Sequence, residues 1–176
     1  MRRPPTALRA IETHYKGYRF RSRLESRWAV FLDALGVLWS YEAEGYELGA
    51  AGRYLPDFWL PAIGCWLEIK GARPSPSEIR KAVGLAELAG RPVVIFSGEI
   101  DARMVGGLAT TRWFPDSYIW AGCGVCGWVD VIDLDARRAV FCPQCRLPRL
   151  FRATTPALRS AYIAARSARF EYGEQP

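Results

Sequence analysis

Two groups of side chains in this 176-residue sequence have types and spacings that can do chemistry. The first is Pro56-Asp57, ten intervening residues, then Glu68-Ile69-Lys70. Paired carboxylates offer hard oxygen ligands to Mg²⁺ or Mn²⁺. A metal so held polarises a phosphate and activates water, and a nearby lysine helps to position that water. The second group is Cys123-Gly-Val-Cys126 and Cys142-Pro-Gln-Cys145, with fifteen residues between the pairs. That is the spacing of a tetrahedral Cys₄ zinc site in a reducing compartment rather than of a disulfide framework. Four thiolates leave the zinc no open position, so its part is structural, while the unit around it serves as a nucleic-acid grip, a docking surface or a plain prop. Cys65, between Gly64 and Trp66, reads as a small buried hydrophobe.

These residues need elements to position them. Ser22 is an N-cap with Glu25 three residues on, and Leu24, Trp28, Phe31, Leu32 and Leu35 recur at helical spacing until Gly36. Residues 37–41 read as a strand and 42–52 as a turn-rich connection. Residues 53–60 and 65–70 read as two strands of a hairpin around Pro61 and Gly64, with Pro56-Asp57 inside the first of them. Side chains alternate along a strand, so Glu68 and Lys70 share a face with Trp66, and pairing brings Asp57 beside Glu68. Ser75-Pro76-Ser77-Glu78 opens a second helix that runs to Gly90. Residues 92–96 follow as a strand, parallel to 65–70 through a right-handed crossover. Ser117 to Trp120 forms one further strand. The cysteine pairs flank short strands at 128–133 and 138–141, and a last helix starts after Thr155-Pro156 and reaches about Phe170.

A single Glu-x-Lys or Pro-Asp says little, because exposed strands and turns often carry them. The joint arrangement says more: helix with Glu, strand, Pro-Asp strand, Glu-x-Lys strand, helix, strand. It resembles the PD-(D/E)XK nuclease superfamily, the restriction-endonuclease-like fold. The segment from Tyr15 to Gly71 is similar to small phage and bacterial members with a Phe-Arg-Ser-Arg-Leu-Glu helix, here Phe20 to Glu25. The resemblance covers residues 14–97. It implies that Asp57 and Glu68 bind Mg²⁺ or Mn²⁺ with help from the Ile69 carbonyl, that Lys70 orients or deprotonates water, and that Glu25 is an auxiliary carboxylate. Glu25 is also the third residue of a capping box, and the sequence leaves both roles open. The expected fold is an α/β restriction-endonuclease-like core over 14–120 after a basic lead-in at 1–13. A zinc ribbon over 121–152 and a basic helix and tail over 153–176 complete it.

The charge is distributed to match. The net charge is +6, yet residues 1–27 hold eight Lys or Arg against two Glu, while the acids concentrate between residues 28 and 145. Basic ends around an acidic centre suit a polyanion. Lys16, Arg19, Arg21 and Arg23, interleaved with Tyr15, Tyr18 and Phe20, are candidate DNA contacts, as are Lys81 on the second helix and Arg146 and Arg149 at the ribbon. With His14 the only histidine, a His-based general base or triad is not expected. No stretch approaches the ~20 apolar residues of a membrane helix, and Met1 to Pro5 lacks the apolar core of a secretory signal. The expected protein is a cytoplasmic DNA endonuclease of a bacterial or phage-infected cell, with a homodimer allowed. It is structure-selective in the first reading and restriction-like or a transposon-end nuclease in the second. The competing class is a non-catalytic binding module that works through its ribbon.

Overall fold

The computed structural model describes residues 12–101, 106–109, 117–133, 141–148 and 151–170. The chain opens with a hairpin of β1 (Thr13–Tyr15) and β2 (Tyr18–Phe20). Its two turn residues, Lys16 and Gly17, both have positive φ (48° and 81°), which matches the right-handed twist of the strands it joins. Helix α1 (Arg23–Ala34) follows. Ser22 is extended at φ −143°, and its Oγ accepts the Glu25 N–H.

A five-stranded sheet of order β3-β6-β7-β8-β9 forms the centre. Its strands are β3 (Ser40–Tyr41), β6 (Phe58–Leu60), β7 (Cys65–Lys70), β8 (Val93–Ser97) and β9 (Gly107–Ala109). The β7–β8 pair is parallel and the others antiparallel. Helix α2 (Pro76–Ala89) makes the crossover between β7 and β8. It starts on a full Ser75/Glu78 capping box and ends on Gly90 in the left-handed region. A small hairpin, β4 (Tyr46–Glu47) with β5 (Arg53–Tyr54), lies between β3 and β6 in sequence. A second sheet, β11-β10-β12, is built from β10 (Tyr118–Cys123), β11 (Val129–Asp133) and β12 (Phe151–Arg152). Helix α3 (Pro156–Ser167) packs on α1 and β10.

Both faces of the central sheet are covered, which explains the near-continuous apolar runs of β7 and β8. On one face Phe58, Leu60, Leu67, Ile69, Val94 and Phe96 pack with Trp28, Phe31, Trp120 and Leu158. On the other, Trp66, Val93 and Ile95 pack with Tyr54, Ala82, Leu85 and Ala86. Glu68, two residues from Trp66, belongs to this second face, beneath α2 and the β4–β5 hairpin.

Several expectations need correction. The strand over 53–60 is two strands, because Pro56 cannot donate to a ladder and the chain bends at Asp57 just before β6. The strand over 37–41 shortens to β3. The basic tract at 15–21 is largely the β1–β2 hairpin, and β9 was not foreseen. The strand at 129–133 pairs with β10. Phe141 bridges Pro148, and residues 138–140 lie outside those described. The last helix ends at Ser167. Among the described residues, no helix is long and apolar enough to cross a membrane.

The junction between β10 and α3 is tight. A Cβ on Gly122 would lie 2.8 Å from Thr155 Cγ2 and 3.1 Å from its Oγ1. Thr155 cannot rotate away freely, since Oγ1 caps α3 at the Leu158 N–H (3.2 Å). Gly122→Ala is therefore expected to cost about 1–3 kcal/mol from overpacking and a weakened cap. A thermal melt unchanged from wild type would show that the junction yields.

Candidate active site and cysteine cluster

Register builds the acidic site. In the β6–β7 hairpin Phe58 faces Leu67, so Asp57 arrives next to Glu68. The Asp57 N–H donates to Glu68 Oε2 (3.3 Å), and the Ile69 N–H donates to Asp57 Oδ2 (2.7 Å). The Tyr54 hydroxyl donates to Glu68 Oε2 at 3.0 Å. Lys70 Nζ sits 2.7 Å from Glu68 Oε1 and 3.2 Å from Glu78 Oε1. Asp57 and Glu68 are only 7% and 3% exposed, so this is a buried charge cluster rather than a solvated strand face.

Glu25 joins it from α1. Its Oε1 accepts from Ser22 Oγ (2.7 Å), and its Oε2 accepts from Tyr41 (2.5 Å) and the Arg21 N–H (3.2 Å). The side chain thus stays at its own helix start and at the same time lines the cleft. The cleft has a volume of about 650 Å³ and is also lined by Asp57, Glu68, Ile69, Lys70, Glu78, Arg21 and Lys81. The Ile69 side chain is in the core of the opposite face, so what it presents here is backbone.

The charges strain against one another. Burial, then Glu68 and Glu25, push the Asp57 carboxyl well above the usual range, against the Ile69 N–H and Lys70. Burial works against the Lys70 ammonium, but Glu68 and Glu78 outweigh it and hold its pKa above the ordinary lysine value. Burial and Glu68 raise Tyr54, so it remains a phenol that donates. Glu78 is lowered to about 2, chiefly by the Ser75 N–H and hydroxyl.

The candidate cations divide. Arg21 and Lys81 line the cleft, with Arg21 in an ion pair to Glu42. Lys16 is paired with Asp33 at 3.0 Å, and Arg19 with Glu12 at 2.6 Å, both away from the cleft lining. Arg23 is half-buried at the start of α1. Arg146 is exposed on the second cysteine turn, and Arg149 lies outside the described residues. Exposed His14 lies opposite Arg19 in the β1–β2 ladder. Tyr41, Tyr54 and the reach of Glu78 to Lys70 were missed in the sequence. No motif marks them, because each is brought in by tertiary packing.

Cys123, Cys126, Cys142 and Cys145 converge, with all four Sγ atoms within 4.8 Å of one another. Cys123–Cys145 and Cys126–Cys142 are 3.8 and 3.6 Å apart. These are too long for disulfides. A tetrahedron with Zn–S of about 2.3 Å has edges of about 3.8 Å, so the cluster is compatible with zinc. The two turns are built alike. Gly127 N–H returns to the Cys123 carbonyl (3.0 Å) and Arg146 N–H to the Cys142 carbonyl (2.9 Å). The residue after each pair has positive φ, 76° at Gly127 and 62° at Arg146. The Cys126 and Val125 N–H groups draw the Cys123 thiol down to about 7, while Cys126 is pushed up to about 11, its Trp128 N–H contact outweighed by burial and the neighbouring thiols. Among the described residues, this is the only set of three or more such ligands so close together.

No family model, no curated protein and no solved structure matches this chain.

Proposed function

We propose that this chain is a divalent-metal-dependent DNA endonuclease of the PD-(D/E)XK type. In this reading the central sheet with α1 and α2 is a restriction-endonuclease-like core, and the cysteine unit is a structural zinc ribbon. The observation that carries the reading is the buried Asp57–Glu68 pair, fixed by neighbouring strands and backbone N–H groups, with Lys70 on Glu68 and Glu25 across the same cleft. A fold does not need two adjacent carboxylates held out of water, and their mutual repulsion is what a bound cation relieves.

The donor set fits a hard dication. Asp57 keeps Oδ1 without a hydrogen bond among the described residues, Glu68 has spare lone pairs, and Ile69 offers backbone. A Mg²⁺ or Mn²⁺ here supplies Lewis-acid polarisation of a phosphate and a more acidic water. The chain's own residues do the rest. Asp57 and Glu68 hold the acidic floor, and the Ile69 N–H and Tyr54 hydroxyl fix their rotamers. Lys70, within reach of Glu68 and Glu78, orients or deprotonates the water and steadies the phosphate. Arg21 and Lys81 meet the flanking backbone. The ends left are a 5′-phosphate and a 3′-hydroxyl, as the resemblance implies. The ribbon beside the core favours recognition of a DNA structure such as a junction or branch.

The test is cleavage of labelled four-way junction, flap, single-stranded and plain duplex DNA with Mg²⁺, Mn²⁺ or EDTA. Metal-dependent scission is expected, and Lys70→Ala should lower it by about 100-fold or more. If no substrate is cut while wild type and Lys70→Ala both bind DNA tightly, the enzyme reading fails and the binding module replaces it.

A further inference from the structure

The resemblance assigns no part to Glu78, yet this residue reaches into the acidic cleft from α2. Its two oxygens are divided between different tasks. Oε2 accepts from the Ser75 N–H and Oγ, each at 2.8 Å, and so closes the capping box. Oε1 faces Lys70 Nζ at 3.2 Å. The cap therefore fixes where the free oxygen points, and α2 aims a carboxylate at Lys70.

That matters because Lys70 sits on Glu68 Oε1, one of the oxygens a dication would use. An ammonium at 2.7 Å repels an arriving cation, so Lys70 must lean away from Glu68 when a metal enters. Were Glu68 its only anion, leaving would cost the whole ion pair. Glu78 offers a second carboxylate within reach of the same nitrogen.

We propose that Glu78 is the positioning residue for Lys70: it receives the ammonium when metal displaces it from Glu68, and so keeps Lys70 at the site while easing metal entry. The proposal rests on the nuclease reading above. It makes α2 part of the machinery, since Ser75, Glu78 and Lys70 form one chain from helix cap to cleft.

Manganese binding to the full-length protein tests it without any need for turnover. Mn²⁺ alone is titrated by calorimetry or electron paramagnetic resonance, with Asp57→Asn marking which binding belongs to the cleft. Glu78→Gln keeps an oxygen for the Ser75 N–H but removes the charge facing Lys70. It should weaken Mn²⁺ roughly two- to fivefold, the size expected of a partly exposed ion pair. In a Lys70→Met background the same change should have no effect, because there is no ammonium left to receive. Gly90→Ala strains the left-handed C-cap at the far end of α2 (φ 63°), so it lowers the melting temperature and should leave Mn²⁺ affinity alone, which separates helix stability from charge. Equal weakening by Glu78→Gln in both backgrounds would mean a through-space charge effect and overturns the proposal, as does no weakening in either. Absence of any Asp57-dependent Mn²⁺ binding removes the nuclease reading itself, and this proposal with it.

Discussion

Asp57→Asn is expected to abolish metal-dependent cutting and, in the same protein, to raise thermal stability at pH 7–8. The two effects have one cause. Asp57 is buried beside Glu68 with Glu25 near, so its carboxyl is pushed well above the usual range. A raised folded-state pKa means that the native state holds this proton more tightly than the unfolded chain, whose carboxyl titrates near about 3.9. Stability from the group is then present in full below that value and is lost as pH rises through the folded pKa. Above the folded pKa the native state carries the repulsion unrelieved. Asparagine keeps an oxygen for the Ile69 N–H and removes the charge. Each kcal/mol of repulsion removed is worth roughly 2–4 °C in Tm for a chain of this size. The advantage of Asp57→Asn should shrink towards pH 4. Adding Mg²⁺ should narrow it at pH 8 by stabilising only the wild type. An Asp57→Asn protein that melts below wild type at pH 8 would contradict the charge argument, and one that still cuts would remove Asp57 from the site.

How much of this was legible in the sequence follows from the range over which each signal acts. Helix α1 announced itself through Ser22, the 3–4 spacing of Trp28, Phe31 and Leu32, and Gly36. Helix α2 did so through Ser75-Pro76 and Gly90. Strand β7 was readable to the residue, because Gly64 and Gly71 bracket a six-residue run whose apolar members, Cys65, Trp66, Leu67 and Ile69, suit a strand. These are local codes, and local chemistry sets them. The errors fall where chain-distant partners decide. Residues 37–41 are apolar enough for a strand, but β6 is only Phe58–Leu60, and β3 pairs with it at Ser40 and Tyr41 alone. The strand at 129–133 pairs with β10 across the first cysteine turn, and the sequence leaves β10 short, at 117–120, because the apolar run gives way to Ala-Gly-Cys before the strand ends. At the site, Asp57, Glu68 and Lys70 could be grouped because a two-residue period and one hairpin place them together. Tyr41, Tyr54 and Glu78 could not, since each comes from a different element and contributes only its tip. Among the cations, opposite charge decided. Lys16 and Arg19 found Asp33 and Glu12, and no spacing rule foresees which bases are left facing the cleft.

The other large effect concerns the cysteines, where stripping the metal is expected to unfold more than the ribbon. The unit around the four thiolates has little core of its own, so the free energy of zinc binding is in large part its folding free energy. In isolated zinc-finger peptides that amounts to about 10–16 kcal/mol at neutral pH. Here the unit is not a pendant. Strand β10 ends on Cys123, yet three residues earlier it places Trp120 in the main core, at 5.4 Å from Phe31 and 6.4 Å from Phe96. Strand β12 pairs with the same β10 at Gly122 and Cys123 and leads directly into α3, whose Tyr162 ring packs at a tilt against Phe31, 4.6 Å between centroids. Losing the cluster therefore loosens β10 and α3 together and opens the face of the sheet opposite the acidic cleft. Cys142→Ser, or treatment with a strong chelator, should lower Tm by more than about 10 °C. It should also shift tryptophan emission to the red as Trp120 and Trp28 meet water. Metal analysis of the untreated protein should find a single zinc per chain, released on thiol modification. Cys126→Ser should behave like Cys142→Ser although Cys126 is exposed and Cys142 buried, because equal effects at unequal burial are the mark of a shared ligand rather than of packing. Protein that contains no zinc and melts alike with and without these cysteines would sink the metal assignment, leaving four thiols held together by the backbone turns alone.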